Sequence, residues 1–290
     1  MNFTNLNKSA SVIIPTCDRP ELLMLAVQSV PQTVNEIIIS NDGAQLVQPD
    51  ILFDQRVKVV QSGPRSGPAV ARNVGARVAS GEILFFLDDD DQFLPGYIDR
   101  VMSLLASTFD ILCGFSAVIE IEDGIAGRVK RRLDKSSVIS RSSPRALIHA
   151  ASAGFWINKD VFFELGGFDE KLRVDEDTDF CLRLTKAGFK VWYEAEPGVR
   201  FRVKSGSNQE EQKISEKSIL SDVAYESYQR TYFKHFPTAK PMIKLFLLSR
   251  TIRRGMKDLG QTDEAIFQGL NIFWWCMAKL IKLKYKTLRY

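Results

Sequence analysis

The stretch Gly81-Glu82-Ile83-Leu84-Phe85-Phe86-Leu87-Asp88-Asp89-Asp90-Asp91 sets the strongest constraint on the fold. Five apolar residues in a row, Ile83–Leu87, read as a strand buried on both faces. Four carboxylates at its end demand water or a cation, so this strand must stop at a polar rim. In extended chain Asp88 and Asp90 would point one way and Asp89 and Asp91 the other. Each like-charged neighbour makes the next harder to ionise. Oxygen-only ligands suit a hard cation, Mg²⁺ or Mn²⁺. The plain alternative is a solvated acidic turn leading into a helix at Pro95, helped by that helix's dipole.

The surrounding pattern repeats the strand-to-polar-end arrangement. Ala10–Ile14 is an apolar run stopped by Pro15, followed by the polar turn Thr16–Pro20 and a helix from Pro20. Glu36–Ser40 reads as a second strand ending at Asn41-Asp42-Gly43, and Val57–Val60 as a third. The Gly/Pro/Ser-rich loop 62–68 leads into a helix over Ala69–Ala79 that carries Arg72 and Asn73. Strand–helix alternation predicts a mostly parallel sheet flanked by helices, with ligands beyond the carboxyl ends of its strands. Thr16, Asp42, loop 62–68 and Asp88–Asp91 should therefore share one rim.

Further on, Pro95–Leu105 reads as a helix, Ile111–Ile121 as a long strand with a partner near Arg128–Leu133, and 134–147 as a polar loop over the site. Gly166-Gly167-Phe168 breaks a short helix over Lys159–Leu165. A second acidic cluster, Val174–Asp179, precedes a helix over Phe180–Ala187, for which Asp179 is the expected cap. Lys190–Tyr193 and Val199–Val203 read as two strands. Beyond Gly206 only helical patterns remain, over 210–236, 242–259 and 264–284.

Four scattered cysteines show neither metal nor disulfide spacing, and a count of only two histidines argues against zinc sites and histidine-based catalysis. Met1–Lys8 is polar with no apolar run after it, so no secretory signal is expected and a cytoplasmic location is. The net charge of +4 hides an asymmetry: Lys234–Tyr290 carries 12 basic against 3 acidic residues, the rest 27 against 32. An acidic front and a basic tail suggest two parts with different partners, and the end of the strand patterns at Gly206 divides the chain into 1–206 and a basic helical region over 207–290.

With these pieces in order, the chain resembles a family 2 glycosyltransferase of the GT-A (Rossmann-like) fold, with a C-terminal helical appendage. The resemblance rests on Ser11–Thr16 with Asp18-Arg19-Pro20, Glu36–Gly43, Gly67–Gly75, Leu87–Asp91, Gly166–Glu170 and Glu176–Asp179. It implies inverting transfer from a nucleotide-diphosphate sugar, a UDP-sugar first of all, to a hydroxyl of a glycan or lipid-linked acceptor. Bacterial surface polysaccharide or lipid-linked glycan synthesis would be the setting.

The resemblance also implies roles. Pro15 and Thr16 line the base pocket, Asp42 accepts from the nucleobase, and Arg72 meets ribose or diphosphate. Asp90 is the principal ligand of Mn²⁺ or Mg²⁺, with Asp88 or Asp89 on the ribose or the metal's water shell. Asp177 is the general base, and Glu176 and Asp179 support it. Lys204 stands where relatives often carry histidine, and pairs with phosphate directly. Trp156 belongs to the region expected to shape acceptor choice. A non-catalytic nucleotide-sugar-binding subunit, or a nucleotidyltransferase, is the competing reading.

In the tail, Lys, Arg and Trp interleave with Leu and Ile, too briefly for a membrane span. The expected partner of 242–290 is an anionic membrane surface, on the inner face of the cell membrane. Packing on the catalytic domain or on a second subunit of an oligomer is the alternative. Nucleic acid is not expected, because no recognised module is present.

Overall fold

The computed structural model describes residues 8–47, 54–122, 125–130, 134–139, 153–203, 214–258 and 264–287. These divide into two units. One holds the described residues up to Glu170 together with Glu176–Val203; the other holds Lys171–Asp175 and the described residues from Ile214 onward.

The first unit is built on one ten-stranded sheet. Its strands are β1 (Ala10–Thr16), β2 (Glu36–Asn41), β3 (Val57–Gln61), β4 (Ile83–Leu87), β5 (Gln92–Phe93), β6 (Ile111–Glu122), β7 (Ile125–Lys130), β8 (Ser137–Ile139), β9 (Ala153–Asn158) and β10 (Lys190–Val203). The spatial order is β3-β2-β1-β4-β9-β6-β10-β5, with β7 on β6 and β8 on β10. β3, β2, β1 and β4 are parallel neighbours, so their carboxyl ends share one rim, as the strand–helix alternation requires. β9 runs antiparallel between β4 and β6.

The helices of this unit are α1 (Pro20–Gln28), α2 (Pro68–Val78), α3 (Tyr97–Ser107), α4 (Lys159–Glu164) and α5 (Glu176–Ala187). Side-chain alternation sorts the sheet's two faces. Val12, Ile14, Ile37 and Ile39 join Leu23, Ala26 and Val27 of α1 in one buried cluster. Ile13 and Ile38 face α2, which approaches closely at Gly75. A Cβ there would stand 2.6 Å from the Ile13 Cγ2.

Three expectations need correcting. Lys190–Val203 is one long strand with bulges between Glu194 and Val199, because pairing with β6 continues across the Pro197-Gly198 interruption. Part of the predicted polar loop, Ser137–Ile139, is a strand paired to β10; residues 140–147 lie outside the described part. α5 begins at Glu176 rather than Phe180, so Asp179 lies inside its first turn and is not a cap. Its carboxylate takes Arg183 one turn on, at 2.8 Å.

The second unit is helical: α6 (Ile214–His235), α7 (Pro241–Asp258) and α8 (Ile272–Thr287). Arg250 of α7 pairs with Asp175 at 2.6 Å. No described helix is long and apolar enough to cross a membrane.

Candidate active site

At the end of β4 the chain turns. The Asp91 N–H donates to the Asp88 carbonyl at 3.0 Å, and the extended alternation expected for Asp88–Asp91 does not form. The turn brings Asp88, Asp90 and Asp91 together, with one carboxylate oxygen of each within 4.8 Å of the others. Asp89 points elsewhere. It is fully buried and accepts from the Thr16 Oγ at 2.7 Å and the Arg19 Nε at 3.1 Å. The turn thus separates three carboxylates that converge from one that anchors the β1–α1 turn.

The electrostatics follow from burial. Asp91 is 1% exposed. Its Oδ1 accepts from the Arg202 N–H at 3.0 Å, while its Oδ2 is buried with no hydrogen-bond partner among the described residues. Burial first, then the charge of Asp88, pushes its carboxyl to about 9. Burial likewise raises Asp89 to about 6, against the opposing pull of Arg19 and Thr16. An orphaned buried oxygen beside two further carboxylates suits a hard cation and nothing apolar. Sequence reasoning assigned Asp90 to the metal and gave Asp91 no role. The signal was the fourth consecutive carboxylate, and the turn gives that residue its place.

The two acidic clusters meet through Arg72. Its Nη2 contacts Asp88 at 2.6 Å and its Nη1 contacts Glu176 at 2.6 Å, with the side chain only 5% exposed. The pair of carboxylates holds this guanidinium firmly charged. Arg72 therefore ties the end of β4 to the start of α5, 104 residues away from it in sequence at Glu176. Each of its terminal nitrogens meets one protein carboxylate, on Asp88 and on Glu176.

Asn73, next along α2, fixes the other side of the same junction. Its Nδ2 donates to the Phe168 carbonyl at 2.9 Å and its Oδ1 accepts from the Phe168 N–H at 2.9 Å. Gly167 is required there: its φ is +67°, and a Cβ would come within 2.7 Å of the Asn73 Oδ1. Phe168 then packs among Phe86, Phe162 and Phe180 at centroid distances of 5.0–5.4 Å. An aromatic cluster thus supports both the strand that delivers the Asp turn and the helix that delivers Glu176 and Asp177.

Asp177 is half-buried in the first turn of α5 and accepts from the Thr178 N–H at 2.7 Å. Glu176 is buried, and burial raises its carboxyl above the usual range while Arg72 pulls it down. Asp42 ends β2. Its carboxylate takes the Ser66 and Gly67 N–H groups at 2.8 and 2.7 Å and so shapes loop 62–68. Gly43 beside it admits the β1–α1 turn: a Cβ would lie 2.8 Å from the Asp18 N. Thr16 and Pro15, at the end of β1, are adjacent to this rim by pairing with Asn41 and Ser40.

One assignment falls outside the site. Trp156 is fully buried in the core beneath the sheet, where Gly114 makes room for its indole. It cannot touch an acceptor from there. Lys204 lies outside the described residues.

Residues 11–166 match the family described as glycosyl transferase family 2. An uncharacterized glycosyltransferase of Haemophilus influenzae is 29% identical over 182 residues, 60% of this chain and 61% of that one. The GalNAc(5)-diNAcBac-PP-undecaprenol beta-1,3-glucosyltransferase of Campylobacter jejuni is 31% identical over 180 residues, 58% of this chain and 57% of that one. The chain thus aligns with about three fifths of the length of each of these relatives. Among solved structures, S. aureus TarS 1-349 in complex with UDP-GlcNAc superposes with a TM-score of 0.60 at 14% identity, covering 96% of this chain and 89% of that one. GalNAc-T7 with UDP, GalNAc and Mn2+ gives 0.60 at 17% identity, with 98% and 56% covered. At such identities the likeness is one of fold, and it is the GT-A fold. The family match spans more than half of the chain, in the part that holds the acidic turn and Arg72, and the chain belongs to glycosyl transferase family 2.

Proposed function

We propose that this chain moves a sugar from a nucleotide-diphosphate donor, a UDP-sugar first of all, to an acceptor hydroxyl with inversion. The observation that carries the reading is the Arg72 bridge, which sets a cation-ready acidic turn and the Glu176-Asp177 pair on one rim. Inverting transfer needs both features: charge neutralisation at the leaving diphosphate, and a carboxylate to take the acceptor's proton.

Asp88, Asp90 and Asp91 would hold Mn²⁺ or Mg²⁺. When bound, such an ion supplies charge neutralisation for the departing diphosphate. Asp177 takes the proton of the attacking hydroxyl. The hydroxyl oxygen forms its bond to the anomeric carbon as the bond from that carbon to the diphosphate oxygen breaks. Glu176, paired to Arg72, keeps the start of α5 in place. Asp42 organises loop 62–68 and, with Pro15 and Thr16, borders the region we assign to the base. Lys204 is assigned to the donor phosphates.

Catalysis belongs, in this reading, to residues 1–206, and 207–290 is a basic helical region. A neighbour that binds UDP-GlcNAc and a relative acting on an undecaprenol-linked glycan support a lipid-linked acceptor in bacterial glycan synthesis. Such an acceptor suits a chain resting on the cytoplasmic face of a membrane. α8 supports this with exposed Ile272, Phe273, Leu280 and Leu283 beside exposed Lys279 and Lys284.

The test is turnover. A panel of UDP-sugars with Mn²⁺ should yield UDP on addition of acceptor. Asp177→Asn should cut that rate roughly 10²- to 10⁴-fold while UDP binding by calorimetry is retained. Full turnover in Asp177→Asn would remove the base assignment. UDP-sugar binding without turnover under any acceptor would favour a non-catalytic binding subunit. Release of pyrophosphate would indicate a nucleotidyltransferase.

A further inference from the structure

The acidic turn already carries cations of its own. Asp88 is held by Arg72 at 2.6 Å, and Asp90 by the Arg19 Nη1 at 2.7 Å. The two arginines differ in freedom. Arg72 is 5% exposed and gripped from two sides. Arg19 is 38% exposed and sits at the N-terminus of α1, where its side chain lies wholly on the acidic turn. Its Nε and Nη2 engage Asp89, the carboxylate that does not converge with the other three.

A divalent ion bound by Asp88, Asp90 and Asp91 would share the Asp90 carboxylate with the Arg19 Nη1. Like charges a few ångströms apart on one carboxylate compete strongly. Arg72 cannot yield without leaving Glu176 buried and unpaired. Arg19 can yield, since it faces solvent and keeps Asp89 as an anchor. The Asp91 Oδ2, buried and without a hydrogen-bond partner among the described residues, is a separate sign that the turn has room for another positive charge.

We propose that Arg19 is a placeholder cation. It neutralises Asp90 until the divalent ion arrives, then releases Asp90 while its Asp89 contacts hold it beside the site. Asp89 thereby acquires a role: it tethers the displaced guanidinium rather than binding metal. The proposal rests on the reading that this turn holds a divalent ion, and it makes Arg19 a positioning residue rather than a catalytic one.

Mn²⁺ binding to the full chain without donor, followed by the loss of the free-ion EPR signal, tests it. Arg19→Gln should bind Mn²⁺ roughly three- to tenfold more tightly than wild type. Arg19→Lys keeps the charge but loses the fork that spans Asp89 and Asp90, and should lie between the two. Asp90→Asn should lose most of the binding. A merely structural role for Arg19 would move the affinity the other way, since a loosened turn binds metal less well. Equal or weaker Mn²⁺ binding in Arg19→Gln, with a melting profile like wild type, would overturn the proposal and leave the metal reading intact. If Arg19→Gln does not fold, Arg19→Lys decides: about twofold tighter binding supports the proposal, and no change overturns it. Wild type and both arginine variants all failing to bind Mn²⁺ would sink the metal reading and the proposal together.

Discussion

Arg72→Met removes the cation that joins the two acidic clusters while keeping most of the side chain's apolar stem. Two carboxylates lose a partner, and they differ in consequence. Asp88 is 26% exposed on its side chain and can regain water, so its share is about 1 kcal/mol or less. The Glu176 side chain is 9% exposed and cannot; breaking a buried pair from one side costs about 3–5 kcal/mol. We therefore expect a loss of about 4 kcal/mol at pH 8. The loss should depend on pH. The Glu176 carboxyl stands above its ordinary value of 4.5, raised by burial and restrained by Arg72. Without Arg72 it rises further. A carboxyl whose folded value is raised destabilises the fold as pH climbs from its unfolded value through its folded one. The variant's deficit should accordingly shrink toward pH 5, to about half. Urea denaturation followed by circular dichroism at pH 5 and pH 8 measures both numbers. Glu176→Gln added to Arg72→Met should recover at least half of the pH 8 loss. A deficit below about 1 kcal/mol, or one equal at the two pH values, would refute the view that Arg72 compensates a buried Glu176.

The opposite end of the sheet offers a complementary pH test. Glu36 is buried and is held down to about 2: hydrogen bonds from Lys58, Ser11 and Ser80 overcome the burial that would raise it. Its contribution, on the order of 3 kcal/mol, is complete above about pH 4.5 and is lost as pH falls toward 2. Glu36→Gln should flatten acid unfolding across that window; an unchanged acid transition would refute the assignment. At the α2 junction, Asn73→Ala should cost about 1–3 kcal/mol, because the buried Phe168 N–H and carbonyl both lose their partner. Hydrogen exchange at the Phe168 amide should rise by a matching factor, and an unprotected amide in the wild type would show that the contact is not formed.

Local chemistry made much of this protein legible from its residues. Ile83–Leu87, Ala10–Ile14 and Glu36–Ser40 are apolar enough to be strands wherever they are placed, and Pro20 opens a helix by its fixed φ. Their alternation forces a parallel arrangement, so the shared rim of Thr16, Asp42 and Asp88–Asp91 was readable before any coordinates. What residue order could not decide were contacts between distant segments. Arg72 lies on a helix like any surface arginine until α5 brings Glu176 to it. Trp156 reads as part of the region that shapes acceptor choice until β9 inserts between β4 and β6 and buries it. β10 reads as two strands because Pro197 and Gly198 break the local pattern, while its long pairing with β6 carries it across the break. Asp88–Asp91 could alternate or turn with equal local cost. The turn wins because Thr16 and Arg19 capture Asp89 and the β10 backbone captures Asp91. Propensity and period act within a few residues; charge pairing and strand pairing act across the sheet, and only the folded chain brings those partners within reach.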